Sequence, residues 1–181
     1  MRRPLVLSGG PAVGKTTTAR HLAEALPRAA FIDVDDLRQL VVAGHEAWGV
    51  EGDAQRALGA VNACALARRF TAAGFDVAIA DVVTPATAQV YRQQLSGCLL
   101  VHLTVTPAEA HRRAATRQVW LTEEEFDHLH RVDTENPPPA DHHLDVTTYI
   151  PAEQQAVAEA LWAATASTDG PRMDPTRMFQ E

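Results

Sequence analysis

A glycine-rich octapeptide near the N-terminus constrains this chain more than any other feature of its 181 residues. Residues 9–16 have the sequence GGPAVGKT, which fits the pattern G-x-x-x-x-G-K-[ST]. They lie between a short apolar run at 4–8 and a segment at 15–26 with helical periodicity. In that context the glycines let successive main-chain N–H groups turn inward at a helix N-terminus, where they form a nest for an anion. The sequence therefore predicts a phosphate-binding loop.

The polar residues that close this loop have separate expected roles. Lys15, the only lysine among sixteen basic residues, is expected to reach the β- and γ-phosphates of a nucleotide. Thr16 is expected to give a hydroxyl ligand to Mg²⁺, and Thr17 to donate to the α-phosphate. The predicted nucleotide contacts come from the whole loop: Gly9, Gly10, Pro11, Ala12, Val13, Gly14, Lys15, Thr16 and Thr17. ATP and Mg²⁺ are the expected ligands.

Short apolar runs alternate with helical segments along the rest of the chain. The predicted strands are 4–8, 30–34, 75–81, 99–105 and 143–147. The predicted helices are 15–26, 37–42, 54–73, one that starts at 84, 106–116, 122–131 and 152–166. This alternation indicates an α/β fold with a parallel sheet covered on both faces, and its site is expected where the strands end.

Three aspartates follow strand ends at that edge. Asp33 and Asp35 close the second strand, where alternation would turn both carboxylates towards the cleft. Asp35 is the candidate general base for an attacking hydroxyl, and Asp33 could support a Mg²⁺-bound water. The alternative is that Asp35 or Asp36 only caps the next helix. Asp81 ends the third strand and has the position of an acid that completes the Mg²⁺ shell with Thr16, unless it is a turn residue only.

Two arginines in a later helix are candidates for a lid over the nucleotide, at about 112–131. Arg113 and Arg117 are four residues apart, so they share one face of the helix. They would neutralise charge that develops on the transferred phosphoryl group, with Arg112 as a nearby substitute. The alternative is that they are solvated arginines that pair with Glu109.

The acceptor pocket is expected from residues that follow the acids on the open edge. They are Arg38, His45, Trp48, Gln55, Arg56, Asn62 and the turn from Val82 to Thr84. Trp48 could stack on a ring of the substrate or shield a loop, and none of these residues identifies a substrate. Four histidines, His128, His130, His142 and His143, are expected to be solvated surface residues rather than a metal site.

Composition excludes several other classes of protein. The net charge is −7 without a basic run, which argues against nucleic acid as a partner. No stretch approaches the roughly 18–20 apolar residues that span a bilayer, and no signal-type segment is present, so a cytoplasmic protein is expected.

Cys64 and Cys98 are expected to be buried thiols. One domain at 1–166 with a loosely held tail at 167–181 is predicted, as a monomer or homodimer.

With these residues in place, the chain resembles the P-loop small-molecule kinases. The resemblance is strongest to the chloramphenicol phosphotransferase-like group and weaker to gluconate and shikimate kinases. It covers about 4–166 and rests on SGGPAVGKTT, FIDVDDLR, VAIADVV, RRAATR and HLDVTT. The chain differs from these relatives at two places. It has Ala80 before Asp81, where they often have paired acids, and its lid has fewer arginines.

The resemblance implies a three-layer P-loop NTPase fold with a five-stranded parallel sheet in the order 2-3-1-4-5. It also implies that Asp35 is catalytic, that Arg113 or Arg117 contacts the nucleotide, and that adenine packs near 147–151. The expected function is an ATP-dependent transfer of phosphate to a hydroxyl of a metabolite or antibiotic. The alternatives are a nucleoside or nucleotide kinase and a nucleotide-dependent switch with slow ATPase activity.

Overall fold

One parallel sheet organises the part of the chain that the computed structural model describes, residues 1–116 and 121–166. Its strands are β1 (Leu5–Ser8), β2 (Ala29–Asp33), β3 (Asp76–Ala80), β4 (Leu99–Thr104) and β5 (His142–Asp145). Their order is β2-β3-β1-β4-β5 and every neighbouring pair is parallel, which confirms the predicted fold. The predictions made for Arg117 and for the tail at 167–181 lie outside the described residues.

Helices cover both faces of this sheet. They are α1 (Lys15–Glu24), α2 (Val34–Gln39), α3 (Gly49–Ala72), α4 (Pro85–Gln94), α5 (Pro107–Ala114), α6 (Glu123–Glu135) and α7 (Pro151–Ala163). Alternation along β1 divides the core into two layers. Val6 packs with α3 and α4, whereas Leu5 and Leu7 pack with α1 and α7. No helix among the described residues is long and apolar enough to cross a membrane.

Local sequence signals explain where several helices begin. Thr84, Thr106 and Thr122 each accept a hydrogen bond from the main-chain N–H three residues later, as the predicted caps require. The alanine-rich helix α3 starts at Gly49, five residues before the predicted start. A Cβ on Gly52 would lie 2.7 Å from the carbonyl carbon of Ala47, so this glycine lets the helix start pack against its own leading loop.

Both cysteines are free and buried, as expected. Cys64 lies on the buried stripe of α3, which repeats at helical spacing through Ala60, Ala63 and Ala67. Burial raises the pKa of the Cys64 thiol to about 12. The small residues of this stripe let the 24-residue helix approach the sheet closely.

Candidate functional site

The octapeptide forms the loop between β1 and α1, and its main chain takes left-handed conformations at three positions. The φ angles are 142° at Gly9, 60° at Ala12 and 93° at Gly14. A Cβ on Gly9 would lie 2.3 Å from the carbonyl oxygen of Leu103, and one on Gly14 would lie 2.8 Å from Nε2 of Gln154. The two fixed glycines of the motif are therefore required by main-chain conformation and by close packing.

Ala12 carries backbone strain in this loop. It is the only residue other than glycine with a positive φ in the described ranges, and such a conformation costs an L-residue roughly 1–2 kcal/mol. Its methyl group is buried against Ala110 of α5 and Phe126 of α6. Strain of this kind concentrates at ligand-binding loops, and here the surrounding helices hold it in place.

Lys15 begins α1 and folds back over the loop. Its side chain is largely buried, and Nζ donates to the carbonyl oxygen of Gly10 at 3.3 Å. Lys15, Thr16 and Pro11 line a cavity of about 450 Å³ that opens beside the loop. Thr17 lies on the exposed side of α1, away from that cavity's lining.

The acids after β2 do not lie on a strand together, which corrects the expected alternation. The strand ends at Asp33 and α2 begins at Val34, so Asp35 belongs to the first helical turn. Asp33 is the helix cap, because its Oδ1 accepts a hydrogen bond from the N–H of Asp35 at 3.1 Å. Neither Asp35 nor Asp36 has the capping role that the sequence left open.

Asp35 points into the cavity and is held there by Arg38, one turn along α2. Partial burial raises the pKa of the Asp35 carboxyl, but the charges of Arg38 and Lys15 outweigh it and hold the pKa below its ordinary value. At Asp33, burial and the neighbouring Asp35 charge raise the pKa. Asp35 is therefore ionised at neutral pH, as a group that orients an attacking hydroxyl must be.

Asp81 is fully buried behind Arg38. Its Oδ2 accepts a hydrogen bond from the hydroxyl of Tyr91 at 2.8 Å, and its Oδ1 lies 3.4 Å from Nη1 of Arg38. Burial raises the pKa of this carboxyl, although Arg38 and Tyr91 oppose the shift. Because the Asp81 side chain is fully buried and does not line the cavity, direct contact with a metal ion in the cavity would require Arg38 to move. Tyr91 was not predicted from the sequence.

The cavity brings together most of the residues expected to form the acceptor pocket, but Val83 and Thr84 of the predicted turn do not line it. Its wall contains Asp35 and Arg38 from α2, Trp48 before α3, Arg56 from α3 and Val82 after β3. His45, Gln55 and Asn62 also line it, and Leu121 and Leu129 close it from the side of α6. Trp48 meets the ring of His128 on α6 edge-on, with the ring centroids 5.8 Å apart, so this side chain joins α6 to the cavity wall.

Arg113 does not project from a lid. Its Nη2 donates to the carbonyl oxygens of Val146 at 2.7 Å and Tyr149 at 3.2 Å, and its Nη1 donates to that of Val13 at 3.2 Å. The side chain is only 17% exposed. Arg113 therefore ties the phosphate loop to the segment after β5, and the expectation of a side chain that swings over the nucleotide does not fit this geometry.

Arg112 is the exposed neighbour of Arg113, which we call the brace of the phosphate loop. Its side chain is 70% exposed and is paired with Glu109, in agreement with the alternative reading of the helix arginines. Side-chain hydrogen bonds from Arg112 and Arg113 lower the pKa of Glu109 to about 2.

Helix α6 contacts the phosphate loop through two side chains that sequence reasoning missed. His130 was expected on the surface, but it is only 7% exposed and its Nε2 lies 2.8 Å from the carbonyl oxygen of Pro11. Asp133 accepts a hydrogen bond from the N–H of Gly10 at 3.1 Å. Since His130 lies four residues after the buried Phe126, helical spacing was the available signal.

A third missed residue supports the C-terminal end of the loop. Gln154 of α7 is buried, and its Nε2 donates to the carbonyl oxygen of Val13 at 3.1 Å and to the hydroxyl of Thr18 at 3.0 Å. Together with His130 and Asp133 it holds the loop from two sides.

The chemistry of the loop fits a nucleotide with Mg²⁺. Positive φ angles at Gly9, Ala12 and Gly14, in a loop that leads into the N-terminus of α1, are compatible with an anion nest. The hydroxyl of Thr16 and the carboxylate of Asp33 are the hard oxygen donors that Mg²⁺ prefers, and only a few are needed when phosphate oxygens and water complete the shell.

A family model described as an AAA domain matches residues 5–134. No curated protein matches the chain significantly in sequence. A sugar kinase from Janibacter sp. HTCC2649 has the same fold, with a TM-score of 0.68 at 17% identity over 92% of this chain and 96% of that chain.

Two further solved structures are similar at the same low level of identity. The tunicamycin resistance protein of Deinococcus radiodurans has a TM-score of 0.64 at 18% identity, over 94% of this chain and 99% of that one. A shikimate kinase from Bacteroides thetaiotaomicron has a TM-score of 0.63 at 18% identity, over 91% and 98%. At such identities the likeness shows the fold.

Proposed function

Since this chain belongs to the AAA domain family, with a fold shared by sugar and shikimate kinases, we propose that it is an ATP-dependent phosphotransferase. It transfers the γ-phosphate to a hydroxyl of a small molecule, a metabolite or an antibiotic. The observation that carries this proposal is that Lys15 and Thr16 share the wall of one cavity with the ionised Asp35. A phosphate seat and a group that can take a hydroxyl proton then face the same space.

The phosphate loop binds and orients ATP in this scheme. Main-chain N–H groups of the loop and the Lys15 ammonium would neutralise charge on the β- and γ-phosphates. Thr16 would hold Mg²⁺, with Asp33 supporting a Mg²⁺-bound water, and the ion would neutralise further charge on the phosphates. Arg113 takes no direct part; it fixes the position of Val13 and therefore of the loop.

Asp35 receives the acceptor. Its carboxylate orients the hydroxyl and accepts its proton as the bond from oxygen to the γ-phosphorus forms and the bond to the β–γ bridging oxygen breaks. Arg38 fixes the carboxylate, and Asp81 with Tyr91 fixes Arg38 from behind. The Mg²⁺ support expected of Asp81 would have to act from this buried position.

The test compares ATP turnover with and without a library of hydroxylated compounds that includes nucleosides. We expect Asp35→Asn to keep its affinity for ATP and to lose at least about a hundredfold in transfer, because it keeps the shape of the side chain and loses the base. Asp36→Asn is the matched control, since Asp36 is exposed on the same turn and does not line the cavity. Unchanged transfer by Asp35→Asn would remove Asp35 from this role.

Lys15→Ala tests the nucleotide half of the proposal. It should weaken both ATP binding and transfer, because the ammonium acts on bound and on transferring phosphate. Isothermal calorimetry of the wild-type protein with ATP and Mg²⁺ measures the first effect directly. If millimolar ATP gives no heat of association, the phosphotransferase proposal is wrong.

A further inference from the structure

We infer that the acceptor is a hydroxylated acid with a largely apolar body, and that the guanidinium of Arg56 binds its carboxylate. The acceptor class rests on the proposed function, since it concerns the same cavity. It goes beyond that function by assigning a charge to the substrate and a binding role to one side chain.

Arg56 lines the cavity and has an unused donor. Its Nε is buried and has no hydrogen-bond partner within residues 1–116 and 121–166. Its Nη2 lies 3.3 Å from Oδ1 of Asp53, whose side chain is 76% exposed, so this ion pair is weak and screened by water. A buried N–H without an acceptor is costly, and a ligand oxygen would satisfy it. Guanidinium groups bind planar carboxylates through two parallel N–H donors, which explains the choice of anion.

The other lysine and arginine side chains of the wall already have partners. Arg38 is held between Asp35 and Asp81, and Lys15 belongs to the phosphate loop. Among the arginine and lysine side chains that line the cavity in the described residues, Arg56 is thus the one best able to take an anion from the ligand.

Arg56 also lies within electrostatic reach of the reacting group. Its positive charge is one of those that lower the pKa of Asp35. A carboxylate at Arg56 and a hydroxyl at Asp35 can therefore belong to one small molecule in a cavity of about 450 Å³. Glu46, another acid of the wall, is exposed and forms no ion pair with the described residues.

Apolar side chains form much of the remaining wall. Leu37, Val41, Leu58, Val82, Leu121 and Leu129 face the cavity. Such a surface is a poor match for a ligand with hydroxyls on every side, because each buried hydroxyl needs a partner. In the transfer itself the hydroxyl oxygen gains the phosphoryl group, its proton passes to Asp35, ADP leaves, and the carboxylate stays unchanged at Arg56.

The experiment uses matched pairs of acceptors that differ in charge alone. Each hydroxy acid, such as 4-(hydroxymethyl)benzoic acid, is assayed beside its primary amide with ATP and Mg²⁺. We expect kcat/KM to be at least about tenfold higher for acids than for their amides, as a charge-assisted bond predicts. In Arg56→Gln the ratio should fall to about one, whereas Arg69→Gln, at the far end of the same helix and outside the cavity, should keep it. Calorimetry with ATP shows that each variant is folded.

Equal turnover of acids and amides would overturn the anionic acceptor, as would an acid preference that survives Arg56→Gln. Transfer to none of the acids by a protein that binds ATP would also overturn it. These outcomes leave nucleotide binding at the loop intact. Failure of the wild-type protein to bind ATP would remove the proposed function itself, so the two failures are distinguishable.

Discussion

The substitution Arg113→Met tests whether Arg113 is a structural brace that fixes the phosphate loop or a lid residue that acts on the transferred phosphate. Methionine is shorter than arginine but keeps an apolar stem at this position, and it removes every N–H donor. Three main-chain carbonyls, of Val146, Tyr149 and Val13, then lose a cationic partner. The bond to Val146 is the shortest, at 2.7 Å, and a hydrogen bond from a charged group contributes about 1.5–3 kcal/mol.

The two bonds at 3.2 Å are longer and partly within reach of water, so they add less. We expect a loss of about 3 kcal/mol in the free energy of unfolding, measured by urea denaturation. For a protein of this size that is a fall of about 6–12 °C in Tm by calorimetry. The affinity for ATP should fall as well, because Val13 belongs to the phosphate loop and loses one of its two side-chain donors, the other being Gln154.

Arg112→Met is the matched control. Arg112 is adjacent in the same helix, 70% exposed and paired with Glu109 alone. Its replacement should change Tm by less than about 1 °C, since exposed ion pairs contribute little. The brace is refuted if Arg113→Met has the Tm of the wild type and loses only kcat, because that pattern belongs to a residue that acts on the transferring phosphate.

Three further predictions concern the groups around the cavity. Tyr91→Phe removes the buried bond to Asp81 and should lower stability by about 1–3 kcal/mol in urea, unlike Tyr149→Phe, whose hydroxyl has no hydrogen-bond partner in the described ranges. Burial lowers the pKa of His130, so its imidazole binds a proton more readily in the unfolded chain than in the folded protein. The free energy of unfolding should therefore decrease as pH falls below about 6.5. His130→Gln keeps an N–H donor but does not titrate, so it should reduce this dependence on pH. Because the pKa of Asp35 is lowered, kcat/KM should decrease through protonation of Asp35 only below about pH 4. A decrease in kcat/KM between about pH 7 and 5 that is absent from Asp35→Asn would contradict this.

Much of the fold could be predicted because its signals are local. The loop needs left-handed main chain at Gly9 and Gly14, and only glycine adopts it without strain, so the requirement is visible in the sequence. The caps Thr84 and Thr106 bond to N–H groups three residues away. The strand order, in contrast, was predicted from the family resemblance and not from periodicity.

Local sequence signals also gave one wrong prediction in the site. Strand alternation through Asp33 to Asp35 is a sound rule as long as the strand continues, but the strand ends at Asp33 and this side chain caps α2. The helix starts there because Asp33 bonds the N–H of Asp35 and Val34 is buried against the core. Asp35 still reaches the cavity, from a helical turn.

The sequence alone thus determined the phosphate loop, the alternation of strands and helices and the acids at the sheet edge, since each depends on neighbours within a few residues. Only the tertiary structure decided that Arg113 donates to main-chain carbonyls of the loop and of the segment after β5, and that His130 is buried. Their partners are distant along the chain: Val13 is 100 residues from Arg113, and Pro11 is 119 residues from His130. A hydrogen bond between such distant groups exists only after the sheet has brought them together, and no local pattern records it.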